Sequence, residues 1–250
     1  MTKNKKRWWT LALTFVLAFA IAPTAGAMHI MEGYLPPVFC VAWGVICLPF
    51  LFLGFKSLNK SVKENRKSMT LIAMAGAFVF VLSSLKIPSV TGSCSHMTGT
   101  GLGAILFGPS AVSVLGLIVL VFQAILLAHG GLTTLGANCF SMAIAGPILS
   151  WLIYMGLSKT NVNRKVTIFL AAALGDLFTY CVTSVQLAMA YPSAEGGFMA
   201  SVVKFLGIFA PTQLPLAVIE GILTVVIMIA LESFAQSELK AIHYATEGGK

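Results

Sequence analysis

Long apolar runs, each close to the thickness of a lipid bilayer, govern what this chain can fold into. They fall at approximately 35–54, 68–87, 110–128, 132–157, 166–191 and 211–231, with a shorter run near 100–107. An α-helix needs about 20 residues to cross roughly 30 Å of hydrocarbon. Inside lipid only a helix or a closed barrel satisfies its own backbone groups, and these runs lack the period-2 alternation of a barrel strand. The fold class is therefore all-α, a polytopic membrane helical bundle. Composition agrees: 58% of the 250 residues are hydrophobic, only 10% are charged, and mean hydropathy is +0.91, whereas a soluble domain carries about 25% charged residues. The net charge of +8 sits in short basic clusters between apolar runs, without interleaved aromatics. That pattern serves orientation in a membrane and excludes nucleic acid as a partner.

Residues 1–27 read as an address. A basic cluster (Lys3, Lys5, Lys6, Arg7) precedes an apolar run from Trp8 to Ala22, and Ala25-Gly26-Ala27 closes it. These are the three regions of a cleavable signal peptide; the alternative is an uncleaved first membrane helix. Cleavage after Ala27 makes Met28 a new N-terminus on the outer face of a bacterial inner membrane and leaves 28–250 as one membrane-embedded domain.

Charge parity sets the expected topology. Lys56, Lys60, Lys63, Arg66 and Lys67 follow the first long run, and Lys159, Arg164 and Lys165 follow the fourth. The positive-inside rule places both clusters in the cytoplasm. Both fit only if the stretch 98–108 crosses as well or is tucked into the bundle before Gly108-Pro109, giving about seven transmembrane helices and a cytoplasmic C-terminus. Gly99, Gly101, Gly103 and Gly108 suit an interior element, since irregular backbone at membrane depth is tolerated only inside protein. The loop 88–97, "PSVTGSCSHM", then lies outside beside the mature N-terminus.

A free α-amine followed by histidine offers three nitrogens: the Met28 amine, the His29 backbone nitrogen once deprotonated, and the His29 imidazole. They close fused five- and six-membered chelate rings in one plane. His96, in the outer loop, is the candidate fourth ligand. A tetragonal all-nitrogen site suits Ni(II) and Cu(II) and accepts Co(II), while Mg and Ca prefer oxygen. Glu32, Ser93, Ser95 and Asn138 are candidates for supporting this site. Cys94, two residues before His96, is a weaker thiolate candidate; with five cysteines and no CxxC pair, a disulfide framework is not expected.

Other polar residues have plainer readings. His129 in "LAHGGLTTLG" reads as an interfacial anchor with a wet polar tip, and His243 as a solvated tail residue. Asp176 and Glu220 are lone carboxylates in apolar runs, which marks an interior functional or structural position. Asn138 and Gln123 fasten helices or touch a substrate. Ala73, Ala75, Gly76 and Ala77 form a small-residue face for packing within the bundle or against a partner subunit. With no Walker A, GxSxG or HExxH pattern, the chain carries no recognisable energy source or hydrolytic machinery. A metal-binding transport component, an intramembrane metalloenzyme and a vitamin-transport module remain the competing classes.

The segments "MHIMEGYLPP", "LKIPSVTGSCSHMTGTGLGAILFGP", "LLAHGGLTTLGANCFSMAIAGP" and "QLPLAVIEG" together resemble the substrate-binding M subunit of cobalt and nickel energy-coupling-factor transporters. "MHIMEG" is similar to the cobalt branch, nickel relatives more often reading "MHIPDG". The resemblance implies a non-catalytic, seven-helix subunit that imports Co(II), or alternatively Ni(II), as its transported substrate. Its metal would be held by the positions that map to Met28, His29 and His96. It implies as partners two cytoplasmic ABC ATPases, a transmembrane coupling T subunit and a small accessory N membrane subunit. Many relatives start directly at Met-His; the 27 residues ahead of it here make removal of the leader essential, because a peptide bond at Met28 deletes one ligand.

Overall fold

The computed structural model describes residues 29–66, 68–85, 87–88, 94–242 and 244. The expected signal peptide 1–27, Met28, Ser93 and His243 lie outside the described residues, as does the side chain of Cys94. The elements in chain order are α1 (Pro37–Glu64), α2 (Ser68–Ser84), β1 (Ile87–Pro88), β2 (Cys94–Ser95), α3 (Thr100–Phe107), α4 (Pro109–Leu127), α5 (Leu135–Leu157), α6 (Arg164–Ala190), α7 (Gly197–Phe234) and α8 (Gln236–Ala241). Five of them, α1, α4, α5, α6 and α7, are long and apolar enough to cross a membrane, and α2 is a shorter apolar helix. The chain is an all-α polytopic bundle. The two-residue strands pair antiparallel, Ile87 with Ser95 and Pro88 with Cys94, which closes the base of the expected polar loop.

Boundaries follow local chemistry. Proline stands in the first turn of α1 and of α4, where its missing N–H costs nothing. Asn163 caps α6 by accepting from Lys165 N at 2.8 Å, relieving one orphan donor of the first turn. Two expected boundaries move. Helix α1 continues ten residues past the end of its apolar run, from 54 to Glu64, because Lys56, Lys60 and Lys63 are good helix formers. Helix α7 begins at Gly197 rather than at 211 and runs through Pro211 and Pro215; the apolar stretch before the prolines continues the helix, which at about 1.5 Å per residue makes α7 longer than a bilayer is thick. A π-helical stretch, Cys139–Ala145, interrupts α5.

Helix α3 has eight residues, so at roughly 1.5 Å per residue it is far too short to span. Its residues from Thr100 to Leu106 are all buried, and it sits inside the bundle. A Cβ at Gly101 would lie 2.9 Å from the Ala172 backbone on α6, which is why glycine is needed at that crossing. Around α3 a core of Leu71, Leu102, Ile105, Leu106, Ile168 and Met228 fills the end of the bundle that carries the 158–163 turn and the C-terminal residues. There Arg164 pairs with Glu232 at 2.9 Å and Tyr154 bonds Tyr244 at 3.1 Å. Of the small-residue face on α2, Ala75 and Gly76 turn inward, Gly76 onto Leu115, while Ala73 and Ala77 are exposed. Residues 29–36, 95–99 and 128–134 gather at the other end.

Candidate metal centre

At that end the chain after residue 28 does not stay on the surface. Ile30 is buried and clamped like a strand residue by one side chain: its N–H donates to Asn138 Oδ1 at 2.8 Å and its carbonyl accepts from Asn138 Nδ2 at 3.0 Å. Thr134 Oγ1 adds a third bond to the same carbonyl at 2.6 Å. One residue pair farther, Glu32 N donates to Gly130 O at 3.2 Å. Glu32 itself is at the exposed rim, where bonds from the Thr133 hydroxyl and N–H hold its carboxyl below the usual glutamate range. The turn that receives this segment is built for close approach. Ala128 and Gly130 have φ of +46° and +74°, and a Cβ at Gly131 would fall 2.5 Å from Glu32 Cα.

Clamping Ile30 carries His29 into the interior, where it is 2% exposed. His29 Nε2 lies 3.1 Å from Gln123 Oε1. An amide oxygen only accepts, so Nε2 carries the proton and Nδ1 presents its lone pair. The amide is oriented by its other contact: Ser83 donates its hydroxyl to Val79 O at 2.5 Å and so receives a bond from Gln123 Nε2. This chain of donors, His29 to Gln123 to Ser83 to a helix carbonyl, selects the tautomer with the proton on Nε2. Nδ1 is the nitrogen that closes a six-membered chelate with the residue's own backbone nitrogen.

His96 approaches from the opposite side, fully buried. Its Nδ1 lies 2.8 Å from Met97 O, which places the proton on Nδ1. The turn that bears it is fastened to α6 and α7. Tyr180 donates to His96 O, Ser95 bonds Thr212 at 2.7 Å, and Thr98 N donates to Glu220 at 2.6 Å and to Asp176 at 3.3 Å. The two intramembrane carboxyls thus sit beneath the His96 turn and anchor it. The rings of His29 and His96 have centroids 4.7 Å apart and stand at 79°. Two imidazoles bound cis to one metal at about 2 Å per bond have centroids roughly 4.5 Å apart.

A third imidazole joins them. His129 is 3% exposed, stacked on His29 at 4.7 Å and 28° and 4.8 Å from His96, and one ligand atom from each of the three lies within 4.8 Å of the others. It is not an interfacial anchor: the bend at Ala128 turns it inward. Its position after a run that ends on the same face as His29 and His96 was the available sequence signal. Ser95 supports His96 only through backbone position and Asn138 acts through Ile30; Cys40, Cys47, Cys139 and Cys181 are free thiols away from the cluster. An apolar cavity of about 570 Å³ beside it, lined by Ile30, Tyr34, Tyr191, Lys204 and Phe209, includes none of the three histidines.

The three buried imidazoles, each with a ligand atom within 4.8 Å of the others, are a group that could hold a metal ion. The family model described as "Cobalt uptake substrate-specific transmembrane region" (CbiM) matches residues 29–238. The chain belongs to this family. Among CbiM relatives, the cobalt transport protein CbiM of Lachnoclostridium phytofermentans is 66% identical over 248 residues, covering 99% of each chain. The one from Clostridioides difficile is 60% identical over 227 residues, covering 91% of this chain and 90% of its own. A crystal structure of a truncated transition metal transporter superposes with a TM-score of 0.72 at 26% identity, covering 82% of this chain and 98% of its own. Membership makes the chain a substrate-binding transport subunit of the CbiM type, not an enzyme.

Proposed function

We propose that this CbiM-type subunit captures Co(II) as its transported substrate through four nitrogens: the Met28 amine, the His29 amide nitrogen, His29 Nδ1 and His96 Nε2. One observation carries the reading. His29 turns Nε2 to Gln123 Oε1 and His96 turns Nδ1 to the Met97 carbonyl, and the two buried rings stand with centroids 4.7 Å apart. Co(II) is favoured over Ni(II) because the similar curated relatives are named as cobalt transport proteins. In this reading the leader 1–27 is removed, the mature N-terminus faces outside and the C-terminus the cytoplasm, and α2 and α3 bring the membrane segments to seven. The chain has no ATP-binding motif, so transport is driven by two ABC ATPases through a T subunit, with a small N subunit as accessory. Binding strips the hydrated ion of its water, and reorientation of the subunit by its partners delivers it inward.

The deciding experiment pairs intact mass with metal analysis on chain purified from membranes. A mass starting at Met28 with one Co(II) bound per chain is expected. A chain that retains the leader and still binds cobalt tightly refutes the amine as ligand.

A further inference from the structure

The third imidazole has no place among the four planar nitrogens, and its geometry assigns it a different task. In the proposed chelate the metal lies in the plane of the His29 ring, because the Nδ1 lone pair that binds it lies in that plane and the short Cα–Cβ link to the backbone nitrogen holds the ring close to the plane of the four nitrogens. An imidazole nitrogen donates through a lone pair in the plane of its own ring. An axial ligand ring contains the axis and must therefore stand perpendicular to the plane of the four nitrogens, in which the His29 ring lies. His129 is tilted only 28° from the His29 ring, so its lone pairs point sideways and its π-face looks down on the plane.

The distances locate that face. A ring lying flat about 3.5 Å above the metal, at van der Waals contact, has its centroid roughly 4.7 Å from the centroid of each of two cis equatorial imidazoles. The observed separations are 4.7 Å from His29 and 4.8 Å from His96. Its support is rigid: His129 N donates to Gln123 O at 3.1 Å, so the residue whose side chain sets the His29 tautomer also holds the backbone of His129, between the two left-handed bends at Ala128 and Gly130.

We infer that His129 is a face-on lid over one axial position of the metal, which bars water and any fifth ligand from that side and keeps the bound ion four-coordinate and planar. This rests on the four-nitrogen reading above and deepens it, making His129 a specificity-determining residue. Ions that form planar complexes with strong nitrogen donors, Co(II), Ni(II) and Cu(II), are accepted, whereas ions that require axial or tetrahedral donors, such as Zn(II), are disfavoured.

Low-spin Co(II) reads the axial position directly, because its unpaired electron lies along the axis and an axial nitrogen splits each cobalt hyperfine line into three. The full chain purified from membranes with Met28 as its first residue is loaded anaerobically with Co(II), and its electron paramagnetic resonance is recorded with and without excess imidazole. Wild type is expected to give a low-spin signal without axial nitrogen splitting, little changed by imidazole. His129→Ala is expected to develop the nitrogen triplet when imidazole is added, and His129→Phe, which covers the face but cannot coordinate, to behave as wild type. Axial nitrogen splitting in wild type without added imidazole, or a high-spin signal, overturns the lid while leaving the metal assignment standing. A wild-type chain that binds no Co(II) overturns both. The wild-type spectrum decides the matter even if His129→Ala fails to fold.

Discussion

Replacing Gln123 by leucine removes the acceptor for His29 Nε2–H while keeping a similar volume. In the proposed metal-bound site Nδ1 is occupied, so the proton cannot leave Nε2, and the coordinated ring becomes a more polarised donor. Its partner lies 3.1 Å away on a side chain with no solvent exposure, so no water replaces the lost bond. A buried donor stranded this way costs about 1.5–3 kcal/mol. A metal-bound histidine that loses its outer partner typically loses about 10–100-fold in affinity, or roughly 1.4–2.7 kcal/mol, and the two routes agree. Ser83 keeps its bond to Val79 O, so the scaffold loses little. The expected result for Gln123→Leu is a Co(II) dissociation constant about 10–100-fold above wild type, by competitive titration against a calibrated chelator, with thermal stability nearly unchanged. Gln123→Glu retains an acceptor and makes the imidazole more basic, so it should bind at least as tightly. A leucine variant binding within twofold of wild type would refute the tautomer reasoning.

Other measurements probe the remaining parts of the site. The amine and the amide each lose a proton on coordination, so affinity should fall as pH drops; calorimetry in buffers of different ionisation enthalpy should give different apparent enthalpies, and equal ones would exclude proton release. Asn138→Ala strands the Ile30 N–H and takes one of the two bonds from its carbonyl, which keeps Thr134, and should destabilise the seated N-terminal segment by about 1–3 kcal/mol, read as faster proteolysis at residues 29–34 in the metal-free chain; unchanged protection would show the clamp to be idle. Gly131→Ala drives a Cβ into the Glu32 backbone and should cost about 1–3 kcal/mol, weakening Co(II) binding without touching a ligand. Glu220→Ala removes the nearer of the two acceptors of Thr98 N–H and should weaken binding, whereas Glu220→Gln retains an acceptor and should recover most of it; equal losses in both would point to charge rather than placement of the His96 turn.

Much of the architecture was legible because the apolar runs are a direct statement of bilayer crossing, and the glycines of 99–108 correctly marked an interior element. The end of α1 and the start of α7 were not, since a helix leaving the membrane keeps its hydrogen bonds after its apolar signature ends, and Pro211 and Pro215 imitate a boundary inside a continuous helix. The π-helical stretch of α5 has no sequence period of its own. The meeting of His29 and His96 could be expected because one follows an expected cleavage site and the other shares its face. His129 was read as an anchor because sequence shows neither the left-handed bend at Ala128 nor the burial that follows from it. Gln123 was recognised only as a polar residue in an apolar run; its work depends on a partner 94 positions away in the chain.

That separation fixes an order of events during biogenesis. The bonds seating residues 29–32 all reach forward to Gln123, Gly130, Thr134 and Asn138, about a hundred codons downstream. At roughly 5–20 residues per second, the ribosome needs at least several seconds to deliver them. During that interval the segment 29–32 has nothing to dock against, and it is drawn into place only as the later helices arrive.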